Sequence, residues 1–361
     1  MNRLELPQVR VSGSPMTMGE QLGESLRDMA RGLVALRLKN ASDYLAERRI
    51  EGGLDLYRRV GTACLEHLER WDPIGHAELA GTARGAGIPL IDLYSAVNLT
   101  DIRDVSSIGV IEGSHDEGCT AFMAPVQQET PLLVGQTWDL NAGDLEFVVA
   151  VHRVPDDGPE TWSVTVAGAP TLIGMNEHGL WVGTTNIKVR GARPGVGYMD
   201  IQHRVIRERS HDAAVKLAMD APRAAAHTYW YADESGGTEL ECSADRAVRR
   251  PLGSVPLIQT NHCLDDDHVV QEGEPPQPSS RARLSRATAL LASGSVDAAR
   301  ARDIMADRSD GVLSINRLPE DGEPTTTNAC TIGVPQNRAF EACRGSADRG
   351  EWVTLAFERA S

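Results

Sequence analysis

What most constrains the fold of this chain is the order in which helix-like and strand-like segments follow one another. From Ser14 to about Arg48, Leu, Ala, Arg and Glu recur at helical spacing behind a Ser14-Pro15 cap, which predicts one long helix. Gly52-Gly53 breaks it, and further helices are expected over 54–70 and 74–85. From Cys119 the texture changes to short β-favouring runs at 119–123, 132–138, 146–154, 161–166, 171–175 and 179–189. Pro, Gly, Asp and Asn turn chemistry separates them, and the simplest reading is an antiparallel meander. A helical stretch at 198–219, strands at 228–232 and 238–242, and a helical pair at 280–292 and 296–306 follow. Strands at 329–334, 338–343 and 352–357 close the chain. Without βαβ alternation, this order predicts an α+β fold, a two-sheet core with helices on its outer faces. The three prolines within 272–279 mark a surface loop rather than a linker, so one compact body is expected.

A length of 361 residues and 41% hydrophobic content suffice for a substantial core. The formal charge of −15 argues against nucleic acid or an anionic membrane surface as partner and leaves a small uncharged or cationic ligand. The first ten residues show no apolar h-region and no run approaches 18 apolar residues, so the default expectation is a cytoplasmic protein that does not enter a membrane. Six cysteines, at 64, 119, 242, 263, 330 and 343, include no CxxC pair, so neither a disulfide framework nor a zinc ribbon is indicated.

Of these six, Cys119 stands apart. It enters a strand directly after Gly118, a third of the way along the chain, where its thiol can attack the preceding carbonyl. Cleavage there would make it an N-terminal nucleophile whose own α-amine, with a pKa near ~7.7 against ~8.5 for a free thiol, is the nearest base. The local residues alone leave a second reading open, a buried, uncleaved cysteine at a strand start.

Further motifs follow in order: Gly135-Gln136-Thr137-Trp138-Asp139, Gly174-Met175-Asn176-Glu177-His178-Gly179-Leu180 leading to Thr185-Asn186, Thr260-Asn261-His262, and Ser280-Arg281-Ala282-Arg283-Leu284. Ahead of the cysteine stand Gly13-Ser14-Pro15 and Gly19-Glu20-Gln21-Leu22-Gly23. In this set and order the chain resembles the acyl-coenzyme A:6-aminopenicillanate acyltransferase family, or peptidase C45 family, of the N-terminal nucleophile (Ntn) hydrolases. The resemblance implies a four-layer αββα sandwich made as a precursor and cut at Gly118-Cys119. The products would be a helical N-terminal segment, 1–118, and a catalytic core, 119–361, held together as one body. It maps the nucleophile onto Cys119 and the residue orienting the new ammonium onto Asp139. Asn186 and Asn261 become amide donors to an oxyanion. Arg283 is placed by the Ser-x-x-Arg spacing, to pair with Asp139 or the asparagine carbonyls, with Arg281 and Arg286 as competitors. Two departures from the family pattern, Thr137 for asparagine and Cys263 for an aromatic residue, bear on the pocket, for which Gln136, Thr137, Trp138 and His262 are candidates. No cofactor or metal is implied.

The expected chemistry is amide-bond cleavage through an acyl-cysteine, passed to water or, as the second reading, to an amine. Transfer of an aminoacyl group is included, with an amine or an acyl thioester as candidate co-substrate. An uncleaved, non-catalytic binding protein of the same fold is the alternative of another class. The run from His262 to His268 looks metal-like but lacks a second cluster. His115-Asp116-Glu117 reads as solvated linker with a lesser claim to assist cleavage, and the glycines of 174–179 lack the lysine and following helix of a phosphate loop.

Overall fold

The computed structural model describes residues 3–107, 118–127, 130–273 and 275–358; His115-Asp116-Glu117 therefore lies outside the described residues. The N-terminal part holds β1 (Gln8–Gly13) and helices α1 (Pro15–Ser25), α2 (Arg27–Glu47), α3 (Gly53–Trp71), α4 (Pro73–Ala86), α5 (Leu90–Val97) and α6 (Leu99–Ser106). Then come β2 (Gly118–Ala124), β3 (Leu133–Asn141), β4 (Val148–Pro155), β5 (Thr161–Val166), β6 (Ile173–Asn176) and β7 (Trp181–Asn186). Helices α7 (Tyr198–Val205) and α8 (His211–Met219) lead to β8 (His227–Asp233), β9 (Gly236–Cys242), β10 (Ala247–Pro251) and β11 (Leu257–Gln259). The chain ends with α9 (Asp266–Val270), α10 (Pro278–Leu291), α11 (Ala298–Met305), β12 (Thr325–Val334), β13 (Ala339–Arg344) and β14 (Val353–Thr354).

Two sheets form the core. One has eight strands in the order β1-β4-β5-β6-β7-β8-β9-β10, the other six in the order β11-β2-β3-β12-β13-β14. They meet where β7 lies over β2 and β3, with the wholly buried Trp181 pressed against Gly333 of β12. Helices α10 and α11 cover the six-stranded sheet; α7, α8 and α1 pack on the other. This is the expected α+β arrangement of two sheets between helical layers.

Three expectations need correction. The helix over 14–48 is two helices, because α1 lies along α4 while α2 packs on α3 and α5, and the backbone turns between them at Leu26 (φ −112°, ψ 21°). The Gly19-to-Gly23 motif belongs to this packing: a Cβ on Gly19 would stand 1.9 Å from the Glu78 carbonyl oxygen, and one on Gly81 2.3 Å from that of Met16. The meander divides between sheets, for β2 and β3 pair with each other in one while β4 to β10 run consecutively through the other. The strand expected over 352–357 shrinks to Val353–Thr354, whereas β1, α5 and α6 had not been foreseen.

β1 matters beyond its length, since it pairs in parallel with β4 from Gln8↔Ala150 to Gly13↔Pro155. The part ahead of Cys119 is therefore woven into the core sheet. Buried ion pairs add to this: Arg37 with Asp144 at 3.0 Å, both side chains fully buried, and Arg153 with Glu78 at 2.6 Å. Removing one partner from such a pair strands a charge and costs about 3–5 kcal/mol, so the two parts have reason to stay together whatever happens at the Gly118-Cys119 bond. Among the described residues no helix is long and apolar enough to cross a membrane.

Candidate active site

The hairpin of β2 and β3 sets Cys119 opposite Trp138 and Gly118 opposite Asp139. Cys119 is buried, 5% exposed, and its backbone is held at both ends. Its N–H donates to Asn261 Oδ1 at 2.7 Å, and its carbonyl accepts from Arg283 Nη1. Arg283 also donates from Nη2 to Asn261 Oδ1 (2.9 Å) and from Nη1 to Thr120 Oγ1 (3.2 Å). The alternatives fall away: Arg281 is exposed and Arg286 pairs with Asp307. Arg283 approaches Asn261 rather than forming an ion pair with Asp139.

Asn261 follows β11, and Ser280 at the start of α10 fixes it from behind by accepting its backbone N–H at 2.8 Å. Its Nδ2 donates to the Asn186 carbonyl at 2.9 Å. This orientation is forced, because a flipped amide would turn its donors on Arg283 and the Cys119 N–H. The Asn261 amide is thus spent on holding the Cys119 nitrogen and the end of β7. Asn186 differs: its side chain is 9% exposed, and neither its Nδ2 nor its Oδ1 has a partner among the described residues.

Asp139 is 1% exposed, and neither carboxylate oxygen makes a well-aligned hydrogen bond, although the Thr137 and Thr327 hydroxyls are close. Burial pushes its pKa up to about 6, against the pull of the Arg283 and Arg317 guanidinium groups. Arg317, which sequence reasoning missed, is buried with its Nη1 unpartnered among the described residues. Gly118 runs between the two: a Cβ there would lie 2.7 Å from Arg317 Nη1 and 2.9 Å from Asp139 Oδ2. Only glycine fits that slot without displacing a charged group.

Cys119, Asp139, Asn186 and Trp138 open on one narrow cavity, walled further by Thr100, Leu140, Leu172, Tyr198 and His227. Four of its residues carry buried polar side-chain atoms with no partner among the described residues: Thr100 Oγ1, both Asp139 oxygens, both Asn186 amide atoms and His227 Nδ1. Native interiors satisfy nearly all such atoms. Their convergence on one cavity beside a cysteine is therefore a mark of a ligand site.

Three of the four pocket candidates do not line it. Gln136 is buried between the sheets, its Nε2 donating to the Thr184 carbonyl at 2.5 Å. Thr137 supports from the side, its Oγ1 accepting the Thr120 N–H at 3.1 Å. His262 turns to Ser280 Oγ (2.8 Å) and lines a separate surface groove with Cys263 and Arg281. The acidic run after it is structural, with Asp265 capping α9 and His268 bonded to Glu241; among the described residues no cluster of three or more His, Cys, Asp or Glu is placed to hold a metal. All six cysteines are buried, and none is joined in a disulfide. His227, Thr100, Tyr198 and Arg317 had no sequence signal, since the residues they stand beside lie far along the chain.

The family profile described as acyl-coenzyme A:6-aminopenicillanic acid acyl-transferase matches residues 126–346. The chain belongs to that family, and so to enzymes that act on amide bonds by hydrolysis or acyl transfer. None of the curated proteins searched matches it. Among solved structures it is similar to the N-acylethanolamine-hydrolyzing acid amidase ortholog of Caenorhabditis elegans, at 16% identity and TM-score 0.45, over 66% of this chain and 100% of that one. It is also similar to a penicillin V acylase from Agrobacterium tumefaciens (14%, TM-score 0.37, 66% and 86%) and to a mutant conjugated bile acid hydrolase from Clostridium perfringens (11%, 0.40, 66% and 97%).

Proposed function

We propose that this protein is an Ntn-type cysteine amidohydrolase that matures by cutting its own Gly118-Cys119 bond. The observation that carries the reading is the convergence of unpartnered Asp139 and Asn186 side chains on the cavity of Cys119. In maturation the Cys119 thiol adds to the Gly118 carbonyl carbon, the Gly118–Cys119 C–N bond breaks, and the acyl group passes from nitrogen to sulfur. The nitrogen leaves as an amine after taking a proton. Water then hydrolyses the thioester, giving a Gly118 carboxylate and a free Cys119 thiol.

In the mature enzyme the α-amine takes the thiol proton as the sulfur attacks a substrate amide, then delivers it to the departing amine. Asn261 Oδ1 already accepts the Cys119 N–H and keeps the new amine oriented. The Asn186 amide stabilises the oxyanion, and Arg283 anchors the strand through the Cys119 carbonyl. Water resolves the acyl-cysteine. The match to a family described as acyl-transferases favours a second reading in which an amine, or a thioester-derived acyl group, enters the same cycle.

Intact-mass analysis of the purified protein tests the proposal. Fragments of 118 and 243 residues are expected, the larger one alkylated by iodoacetamide at Cys119, with an added amine diverting product from acid to amide if transfer competes. A single full-length mass after prolonged incubation sinks the maturation step and with it the Ntn assignment.

Asp139 gives this reading a pH signature. With a pKa of about 6 it is a carboxylate above that pH and neutral below. Only the carboxylate stabilises the positive charge that develops as the Cys119 nitrogen is protonated. Thiol ionisation alone lowers the cleavage rate by about tenfold per pH unit on acidification; below about pH 6 the loss of Asp139 charge should steepen this towards a second decade per unit. The sign for stability is opposite, since a raised carboxyl pKa favours the folded state most below ~3.9 and loses that contribution as pH rises through about 6. The rate at which unprocessed chain converts, followed by electrophoresis across this range, reads the slope. A single unbroken slope through pH 6 would remove Asp139 from the step.

A further inference from the structure

The cavity wall beside Asn186 carries a second built group. His227 opens β8 and pairs across the sheet with Asn186, so its imidazole stands on the strand beside the oxyanion amide. Asp101 of α6 is 1% exposed and accepts the Tyr198 N–H through Oδ2 at 2.7 Å, while its Oδ1 lies 2.5 Å from His227 Nε2. With a carboxylate oxygen facing Nε2, the neutral imidazole carries its proton on that nitrogen and presents Nδ1 as an acceptor. The Tyr198 ring fixes the plane by stacking on His227, centroids 4.4 Å apart and 16° between planes. His227 is 2% exposed, lines the cavity, and its Nδ1 has no partner among the described residues. Thr100 Oγ1, buried in the same wall, has none either.

Resting on the reading above, we propose that His227, held in one tautomer by Asp101, selects substrates whose acyl chain carries a hydrogen-bond donor. A hydroxyl or amine on the acyl part would donate to Nδ1 and could use the Thr100 hydroxyl as a second partner. A plain hydrocarbon chain of the same length would leave both atoms unpaired. Sites built to bond a substrate hydroxyl reject the analogue lacking it far more strongly than an apolar pocket rejects a missing methylene. Trp138, Leu140 and Leu172 in the remaining wall are apolar and do not distinguish the two.

The test uses processed enzyme and five chromogenic p-nitroanilides: butyryl, 2-hydroxybutyryl, 3-hydroxybutyryl, 2-oxobutyryl and 3-oxobutyryl. The better hydroxyacyl substrate should exceed butyryl in kcat/KM by about 100-fold or more, and in His227→Phe that ratio should fall to about one. Asp101→Asn gives the arm that a merely structural role would not move. Its carbonyl can keep the Tyr198 N–H while its amide donates to Nε2, driving the proton to Nδ1, so preference should pass from the hydroxyacyl to the oxoacyl anilides. Near-UV circular dichroism establishes that each variant is folded, and if His227→Phe is not, the Asp101→Asn reversal decides. Wild-type enzyme that turns over butyryl as well as both hydroxyacyl anilides overturns the inference alone. So does a preference surviving in folded His227→Phe, or unmoved in Asp101→Asn. Enzyme that turns over none of the five fails the hydrolase reading and this inference with it.

Discussion

Gly118→Val is expected to accumulate as one folded, unbroken chain, its self-cleavage slowed at least about 100-fold. The reason is steric, not chemical. Gly118 pairs with Asp139 across the hairpin and passes between that carboxylate and Arg317, where a Cβ would stand 2.7 Å from Nη1 and 2.9 Å from Oδ2. Two further methyl groups must push the carboxylate, the guanidinium or the strand aside, and displacement of reacting groups by about 1 Å is enough to cost ~10²-fold. Cys119→Ala should also remain unbroken, but because the attacking sulfur is gone while the slot is intact. The two are told apart by iodoacetamide: the Gly118→Val chain keeps a thiol at 119 to label and Cys119→Ala does not. Wild-type cleavage of Gly118→Val, seen as the normal pair of fragments, would show that the slot between Asp139 and Arg317 does not set the geometry of the step.

What could be read from the sequence was whatever local order encodes. The hairpin carrying Cys119 and Asp139 announces itself by a short run of turn and strand residues, whereas Asn186 and Arg283 are marked only by the family resemblance; the structure brings all four to one place. Arg283 could be located only to within a helical turn, because Arg281 and Arg286 share its surroundings in sequence; burial against the Cys119 carbonyl separates them. The division of the strands between two sheets was not legible, since a strand buried on both faces has no alternation to tell one sheet from another. Nor was the His227 wall. His227 and Asp101 are 126 positions apart, on β8 and α6, and meet only in the folded chain. Distance in sequence also hid Arg317, whose importance comes from Gly118 passing beside it.

The two asparagines, alike in the sequence, separate in the structure, and their variants should separate too. Asn186→Ala is expected to lower kcat by about 10²- to 10³-fold with little change in KM, since an amide that bonds the developing oxyanion does less for the ground-state carbonyl. Asn186→Asp should be no better, because a carboxylate cannot donate and would meet the oxyanion with like charge. Asn261 already spends its Nδ2 on the Asn186 carbonyl and its Oδ1 on the Cys119 N–H and Arg283. Asn261→Ala should therefore slow both maturation and turnover by leaving the Cys119 nitrogen without its acceptor. Asn261→Asp, which restores an acceptor oxygen to Cys119 and Arg283, should recover part of both. Steady-state kinetics on processed protein and electrophoresis of the precursor read the two effects separately. Rescue by aspartate at 186 instead of 261, or an Asn186→Ala enzyme altered only in KM, would require the oxyanion donor to be sought elsewhere in the cavity and Asn186 to be counted as a substrate-binding residue.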